Sequence, residues 1–226
     1  MNVRTIAGLT AAVLMAGSVL AQQRFDMIVR QDFFAGFAGN KEAMARAMKT
    51  TEDALAKDPN HAEAKVWHGA GTLFMSGDAF RKGDSSTGMK LWQQGIDEME
   101  QAVGLAPQNL GVRIPRGATL ITATRFMPPE AGRDVLQTGI NDFEDVLKIQ
   151  ETGFSHLSEH ARGELLTGLA EGWSRLGNDD KARFYFQRVA TELKGTVYEE
   201  KAKAWLEGKP EAKTPGFFNC SGCHMK

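Results

Sequence analysis

A short pattern recurs four times along this chain and limits the folds that the chain can adopt. A small residue is followed by a mostly apolar residue after four positions and by another after seven. The small residues are Ala47, Gly95, Gly139 and Ala182. Their separations are 48, 44 and 43 residues. Repeats of this length are typical of a supersecondary unit that buries its apolar face by stacking on copies of itself.

Within each repeat the apolar residues are spaced as on one face of a helix. Trp92, Ile96, Met99 and Val103 follow one another at three- and four-residue steps, which predicts an amphipathic helix. The first two of these helices are expected to end at the Asp-Pro-Asn and Ala-Pro-Gln triplets that begin at residues 58 and 106. Proline blocks continuation of a helix, so a second helix is expected to follow each triplet.

A partner helix is predicted before each repeated segment. These partner helices are expected over residues 27–37, 62–75, 110–126 and 157–176. Residues 76–88 and 127–132, which are rich in glycine or proline, are predicted to be long connecting loops. A short helix over 197–206 would cover the apolar end of the stack. The sequence therefore predicts an all-α chain of four helical hairpins with a capping helix.

The fourth hairpin carries the most specific family pattern. Its residues are Leu166, Leu169, Ala170, Trp173, Gly177, Ala182, Phe186 and Val189. At this spacing the chain resembles the tetratricopeptide repeat (TPR) family. The resemblance implies a right-handed superhelix whose first helices line a concave groove for a peptide or a partner helix. The chain departs from the family where Lys194-Gly195 replaces a proline.

The first 21 residues predict export from the cytoplasm. Arg4 precedes an apolar run from Ile6 to Leu20, and cleavage is expected after Ala21. The run is shorter than the roughly 20 apolar residues that span a membrane. We therefore expect a periplasmic or secreted protein without a stable membrane span after cleavage.

The chain after the expected cleavage site is predicted to have two parts. A helical repeat domain is expected over 22–207, and a linker with a tail over 208–226. Acidic and basic residues are interleaved, and the formal net charge is −1. This pattern gives no attraction for nucleic acid or anionic lipid. The low helix propensity of residues 208–216 predicts an extended linker.

The two cysteines lie in the last seven residues, in the run Cys220-Ser221-Gly222-Cys223-His224. This C-x-x-C-H run resembles the haem-attachment motif of c-type cytochromes. The resemblance implies one covalent haem c, with thioethers at Cys220 and Cys223 and with His224 as the proximal iron ligand. The alternatives are a disulfide, local or between chains, and a thioredoxin-like pair. The lack of a βαβ pattern disfavours the thioredoxin-like pair. A structural zinc site is disfavoured because it would need a further pair of ligands beside the two cysteines.

The sixth iron ligand must come from outside the motif. Met225 is bonded next to His224 and cannot reach the opposite haem face. Candidates in the helical domain are His61, His68, His156, His160, Met75 and Met127. We favour His68 as the distal ligand, because it lies in a first helix and the TPR resemblance places such helices on the groove. Phe217 and Phe218 would shield the porphyrin or dock the tail on the body.

Two further patterns are consistent with ligand binding. Residues 156–160 match the H-x-x-E-H motif of zinc peptidases, with both imidazoles expected on one helical face. The helical repeats disfavour such an enzyme, and a helix start capped near Ser155 is the simpler interpretation. Arg113, Arg116 and Arg125 either clamp a carboxylate such as a haem propionate or form a solvated helix face.

The sequence as a whole predicts an exported TPR-like scaffold that carries one haem c. Its role would be electron transfer or a haem-dependent redox interaction with a protein partner or redox assembly. Binding or electron transfer is favoured over catalysis, because no phosphate loop, nucleophile elbow or dinucleotide pattern occurs. The alternative is a haem-free periplasmic scaffold with a Cys220–Cys223 disulfide.

Overall fold

A computed structural model describes residues 24–214 and 217–218 of the chain. These residues form nine α-helices and contain no β-strand. The helices are α1 (Phe25–Phe37), α2 (Lys41–Lys57), α3 (Ala62–Arg81), α4 (Ser85–Leu105), α5 (Leu110–Ala123), α6 (Pro129–Gln150), α7 (Glu159–Arg175), α8 (Asp179–Glu192) and α9 (Val197–Leu206). Short 3-10 helices cover Thr124–Phe126, Glu151–His156 and Pro210–Lys213. The predicted all-α fold class is confirmed.

Polar caps and glycines determine where the helices begin and end. The Asn40 side chain accepts a hydrogen bond from the Ala43 backbone N–H at 3.0 Å, and Asn178 accepts one from Lys181 at 3.1 Å. Such caps satisfy N–H groups that have no partner inside the helix. Gly177 follows α7 with a φ of +78°, a conformation that glycine adopts without strain.

The connections within the second and third hairpins are shorter than the sequence predicted. Helix α3 continues to Arg81 and α4 begins at Ser85, so the predicted loop over 76–88 is wrong. Only Gly83, with a φ of +80°, breaks the helical path. Gly88 lies inside α4. The ring of Phe80 occupies the space that a side chain at this position would need. The predicted loop over 127–132 is also too long, because α6 begins at Pro129.

The helices pack as hairpins in chain order. Each odd-numbered helix from α1 to α7 contacts the even-numbered helix that follows it, and α9 packs on α8. The odd-numbered helices also contact one another in series, from α1 through α3, α5 and α7 to α9. The odd-numbered helices therefore form one continuous layer that links the hairpins.

Paired glycines bring the two helices of a hairpin into close contact. A Cβ atom on Gly95 would lie 2.7 Å from the carbonyl oxygen of Gly69, and one on Gly69 would lie 2.8 Å from the carbonyl oxygen of Gly95. Gly117 and Gly139 repeat this crossing in the third hairpin, with 3.1 Å in each direction. The small residue that recurs in the second helix thus allows a close approach of the first helix in these two hairpins.

The buried apolar residues form two clusters. The N-terminal cluster includes Phe33, Trp67 and Met99. The C-terminal cluster includes Phe186 and Trp205 and reaches beyond α9 to the residues that precede the cysteine motif. Helix α9 has the predicted bounds, and it covers the end of the last hairpin. No helix in the described ranges is long and apolar enough to cross a membrane.

Candidate functional site

The predicted haem-attachment residues Cys220, Cys223 and His224 lie outside the described residues, as does the predicted signal peptide. Both stay predictions. The described part of the chain comes closest to the motif at Phe217 and Phe218. We call Pro210–Lys213 together with Phe217 and Phe218 the tail root, because these are the last described residues before the motif.

The tail root is packed against the last two helices. Ala212 is 3% exposed and Phe218 is 6% exposed. The Phe218 ring lies 5.0 Å from the ring of Phe186, which in turn stacks on Trp205 at 4.6 Å. The predicted extended linker is therefore wrong for Pro210–Lys213, which form a 3-10 helix on α9. Burial of apolar side chains orders a segment whose composition favours a flexible linker.

The tail root leads the chain back along α9. Gly208 has a φ of +73°, and the Lys209 N–H donates to the Ala204 carbonyl at 2.9 Å. The ring of Phe217 then lies 5.8 Å from the Lys201 ammonium. Phe217 is thus beside a turn of α9 that precedes the last one. The docking role predicted as one alternative for Phe217 and Phe218 is confirmed.

A histidine lies beside the start of α9. His160 Nδ1 is 3.1 Å from the Tyr198 hydroxyl oxygen, and this hydroxyl donates to Glu164 Oε1 at 3.0 Å. The Tyr198 ring packs directly over Gly163, where any side chain would clash with it. His160 itself is exposed. No local sequence pattern indicates this group, because Tyr198 lies 38 residues from His160.

His68 is held by carboxylates of two neighbouring helices. Its Nδ1 lies 2.6 Å from Glu98 Oε2 in α4, and its Nε2 lies 4.0 Å from Glu52 Oε1 in α2. Burial raises the pKa of Glu98, but hydrogen bonds from His68 and Gln94 outweigh it and hold that pKa below its ordinary value. No observation tests His68 as the distal ligand, and it lies in the half of the chain that does not contact the tail root.

Three further candidates for the distal ligand, His61, Met75 and Met127, lie within the described helical body. His61 caps α3, because its Nδ1 accepts a hydrogen bond from the Ala64 N–H at 3.2 Å. Met75 packs against the N-terminal cluster. Met127 is half-buried in the connection before α6. His61 and Met75 therefore have contacts within the helical body itself.

The three arginines of the third hairpin bind carboxylates of the protein itself. Arg113 and Arg116 donate to the fully buried Asp142 at 2.6–2.8 Å. Arg125 makes two hydrogen bonds to Glu171, at 2.8 and 2.7 Å. The prediction of a solvated face is therefore wrong, whereas the alternative of a carboxylate clamp is confirmed, with carboxylates of the protein itself in place of a propionate. The partner carboxylates are 26 to 46 residues away in sequence, so local spacing did not reveal them.

The H-x-x-E-H match is divided between two elements. His156 ends a 3-10 helix, Leu157 is extended, and Ser158 caps α7 by accepting from the Ala161 N–H at 3.2 Å. The expectation that both imidazoles share one helical face is therefore wrong, and the cap is not Ser155. Within residues 24–214 and 217–218, no three or more His, Cys, Asp or Glu side chains are grouped to hold a metal ion.

Comparisons with protein-family models, curated proteins and solved structures give no match to this chain. The assignment of function therefore depends on the residues themselves. Two features are relevant, namely the C-x-x-C-H run and the packing of the tail root that precedes it in the chain.

Removal of the Phe218 ring is expected to release the tail root. Phe218→Ala loses a buried phenyl group, a change that costs about 3–5 kcal/mol in a protein core. Trypsin should then cleave the Lys213–Thr214 bond about tenfold faster or more, because cleavage follows the population of the open form. Intact mass measured over time checks this. Phe217→Ala is the control, since Phe217 is only half-buried, and equal rates for both variants would contradict the docking.

Proposed function

We propose that this chain is an exported TPR-like scaffold that carries one haem c on its C-terminal tail and exchanges single electrons with a protein partner. The observation that carries the proposal is the C-x-x-C-H run at Cys220, Cys223 and His224. The apolar leader that ends near Ala21 supports it, because haem c is attached on the exported side of the membrane. The protein would act in the periplasm or outside the cell.

The donor set fits a covalent haem. Each cysteine adds its S–H across one haem vinyl group, so that a carbon–sulfur bond forms and the proton goes to the other vinyl carbon. No atom is lost, and the protein gains the mass of a whole haem. His224, next to the second cysteine, supplies the imidazole for the iron. When bound, the haem would accept one electron at ferric iron from a reduced protein partner and pass it on from ferrous iron.

The tail root limits where this group can act. Phe218 is buried against α8 and α9, and His224 follows it by six positions. Six extended residues span at most about 20 Å. The proposed haem would thus be kept near the last hairpin.

The packing of the hairpins supports a TPR-like superhelix as the docking part of the protein. The odd-numbered helices contact one another in series, as first helices do in stacked helical repeats. Close glycine crossings occur in two successive hairpins, α3–α4 and α5–α6. We propose that the layer of odd-numbered helices binds the protein partner, as in other helical repeat proteins.

The test is whether colour stays with the polypeptide. The protein is exported by a host with haem c maturation machinery and extracted with acidified acetone. We expect a Soret band that survives extraction, because thioethers do not dissociate. The double variant Cys220→Ser with Cys223→Ser should lose the band, whereas the matched control Ser221→Ala should keep it. A colourless wild-type protein would overturn the proposal and favour the haem-free scaffold with a Cys220–Cys223 disulfide.

A further inference from the structure

A cleft lies between α6 and α8, the second helices of the third and fourth hairpins. Both helices pack on α7, and the cleft beside them holds a cavity of about 360 Å³. Sites for small molecules in proteins range from about 300 to 1,000 Å³, so the size of this cavity suits a small ligand. Its lining residues are Glu144, Leu147, Lys148, Glu151, Phe154 and Arg188.

Contacts between neighbouring elements limit the cleft at two ends. At one end the Lys181 ammonium of α8 lies 3.2 Å from Glu144 Oε1 of α6, and the Trp173 indole N–H donates to the same oxygen at 3.1 Å. Seven residues later in α8, the Arg188 guanidinium lies 5.3 Å from the centre of the Phe154 ring. Phe154 itself is 5% exposed. Seven helical residues span about 10 Å, so the cleft has the length of a small molecule.

Two charged side chains at the cavity are available for a ligand. Glu144 and Arg188 already bind other side chains of the protein. The side chains of Lys148 and Glu151, in contrast, make no ion pair or hydrogen bond with any residue that the structure describes. Both are exposed, and their spacing of three places them on one side of the end of α6. One positive and one negative group therefore remain at the cavity.

The charges of the cleft match a ligand that has both signs. A lone anion would lie beside the two glutamates, and a lone cation would lie beside Lys148 and Arg188. A zwitterion meets an opposite charge at each of its ends, while Leu147 and Phe154 offer apolar surface. We infer that the cleft binds a free α-amino acid with an apolar side chain, its carboxylate at Lys148 and its ammonium group at Glu151. This binding is independent of the proposed haem.

The test is titration calorimetry of the mature protein with L-leucine and L-phenylalanine. We expect saturable binding of at least one of them at one site per chain. The N-acetyl derivative lacks the ammonium group and the amide derivative lacks the carboxylate, so each should bind about tenfold more weakly. Lys148→Gln and Glu151→Gln should each weaken binding of the free amino acid by about tenfold, because each removes a charge-assisted hydrogen bond.

Matched controls remove the same charges elsewhere. Lys41→Gln and Glu42→Gln change exposed residues at the start of α2 and should bind as the wild type does. The inference is overturned if the wild type shows no saturable binding up to about 10 mM of either amino acid. Equal binding of the N-acetyl derivative, or unchanged binding in Lys148→Gln and Glu151→Gln, would also overturn it. Equal melting temperatures of all variants show an intact fold, as expected for exposed positions.

Discussion

Asp142→Ala is expected to lower the free energy of unfolding by about 3–5 kcal/mol, because it leaves two guanidinium groups without their buried partner. Asp142 is fully buried and accepts hydrogen bonds from Arg113 and Arg116 at 2.6–2.8 Å. The carboxylate therefore holds α6 against α5 at the centre of the third hairpin. Urea unfolding followed by circular dichroism measures the change.

The control for Asp142 is a carboxylate that shares one of its partners. Asp145 also binds Arg113, at 2.8 Å, but half of its side chain is exposed. Asp145→Ala should cost less than about 1 kcal/mol, since exposed ion pairs contribute little. If the two substitutions had equal effects, the buried network would not stabilise the hairpin as proposed.

Gly95→Val is expected to lower the free energy of unfolding by about 3 kcal/mol or more, as overpacking does in a close helix contact. The first added carbon would lie 2.7 Å from the Gly69 carbonyl oxygen and 2.8 Å from Leu73 Cβ. Neither atom can move without separating α3 from α4. The melting temperature should fall by about 6–12 °C for a domain of this size.

Gly104 in the same helix provides the matched comparison. A side chain there would meet no atom within 4 Å. Gly104→Ala should therefore raise stability by up to about 1 kcal/mol through helix propensity alone. A Gly95→Val protein as stable as the wild type would show that the two helices do not cross at these glycines.

Local patterns predicted the helices well because each repeat contains its own signals. The bounds of α9 agree with the prediction at both ends, and Pro59 and Pro107 follow the ends of α2 and α4. Glycine was the main source of error. Gly88 was interpreted as part of a loop, although it accommodates the Phe80 ring inside α4. Whether a glycine ends a helix or admits a neighbour depends on a contact that is distant in sequence.

The candidate site also has one part that local sequence predicts and another that depends on contacts between distant residues. The C-x-x-C-H run is a local motif, so it can be recognised without knowledge of the fold. The environment of His160 depends on Tyr198 and Glu164, which the packing of α9 on α7 brings together. Docking of Phe218 depends on Phe186, 32 positions earlier in the chain. Side-chain contacts between hairpins were therefore beyond the reach of sequence periodicity.

The measurement that tests the central claim most directly is the intact mass of the protein exported by a host with haem c maturation machinery. The account predicts a chain that begins after Ala21 and is heavier by one haem, with the added mass absent from the Cys220→Ser and Cys223→Ser double variant. A colourless chain two hydrogens lighter than its sequence would instead show a Cys220–Cys223 disulfide. That result would contradict the account and leave a haem-free scaffold.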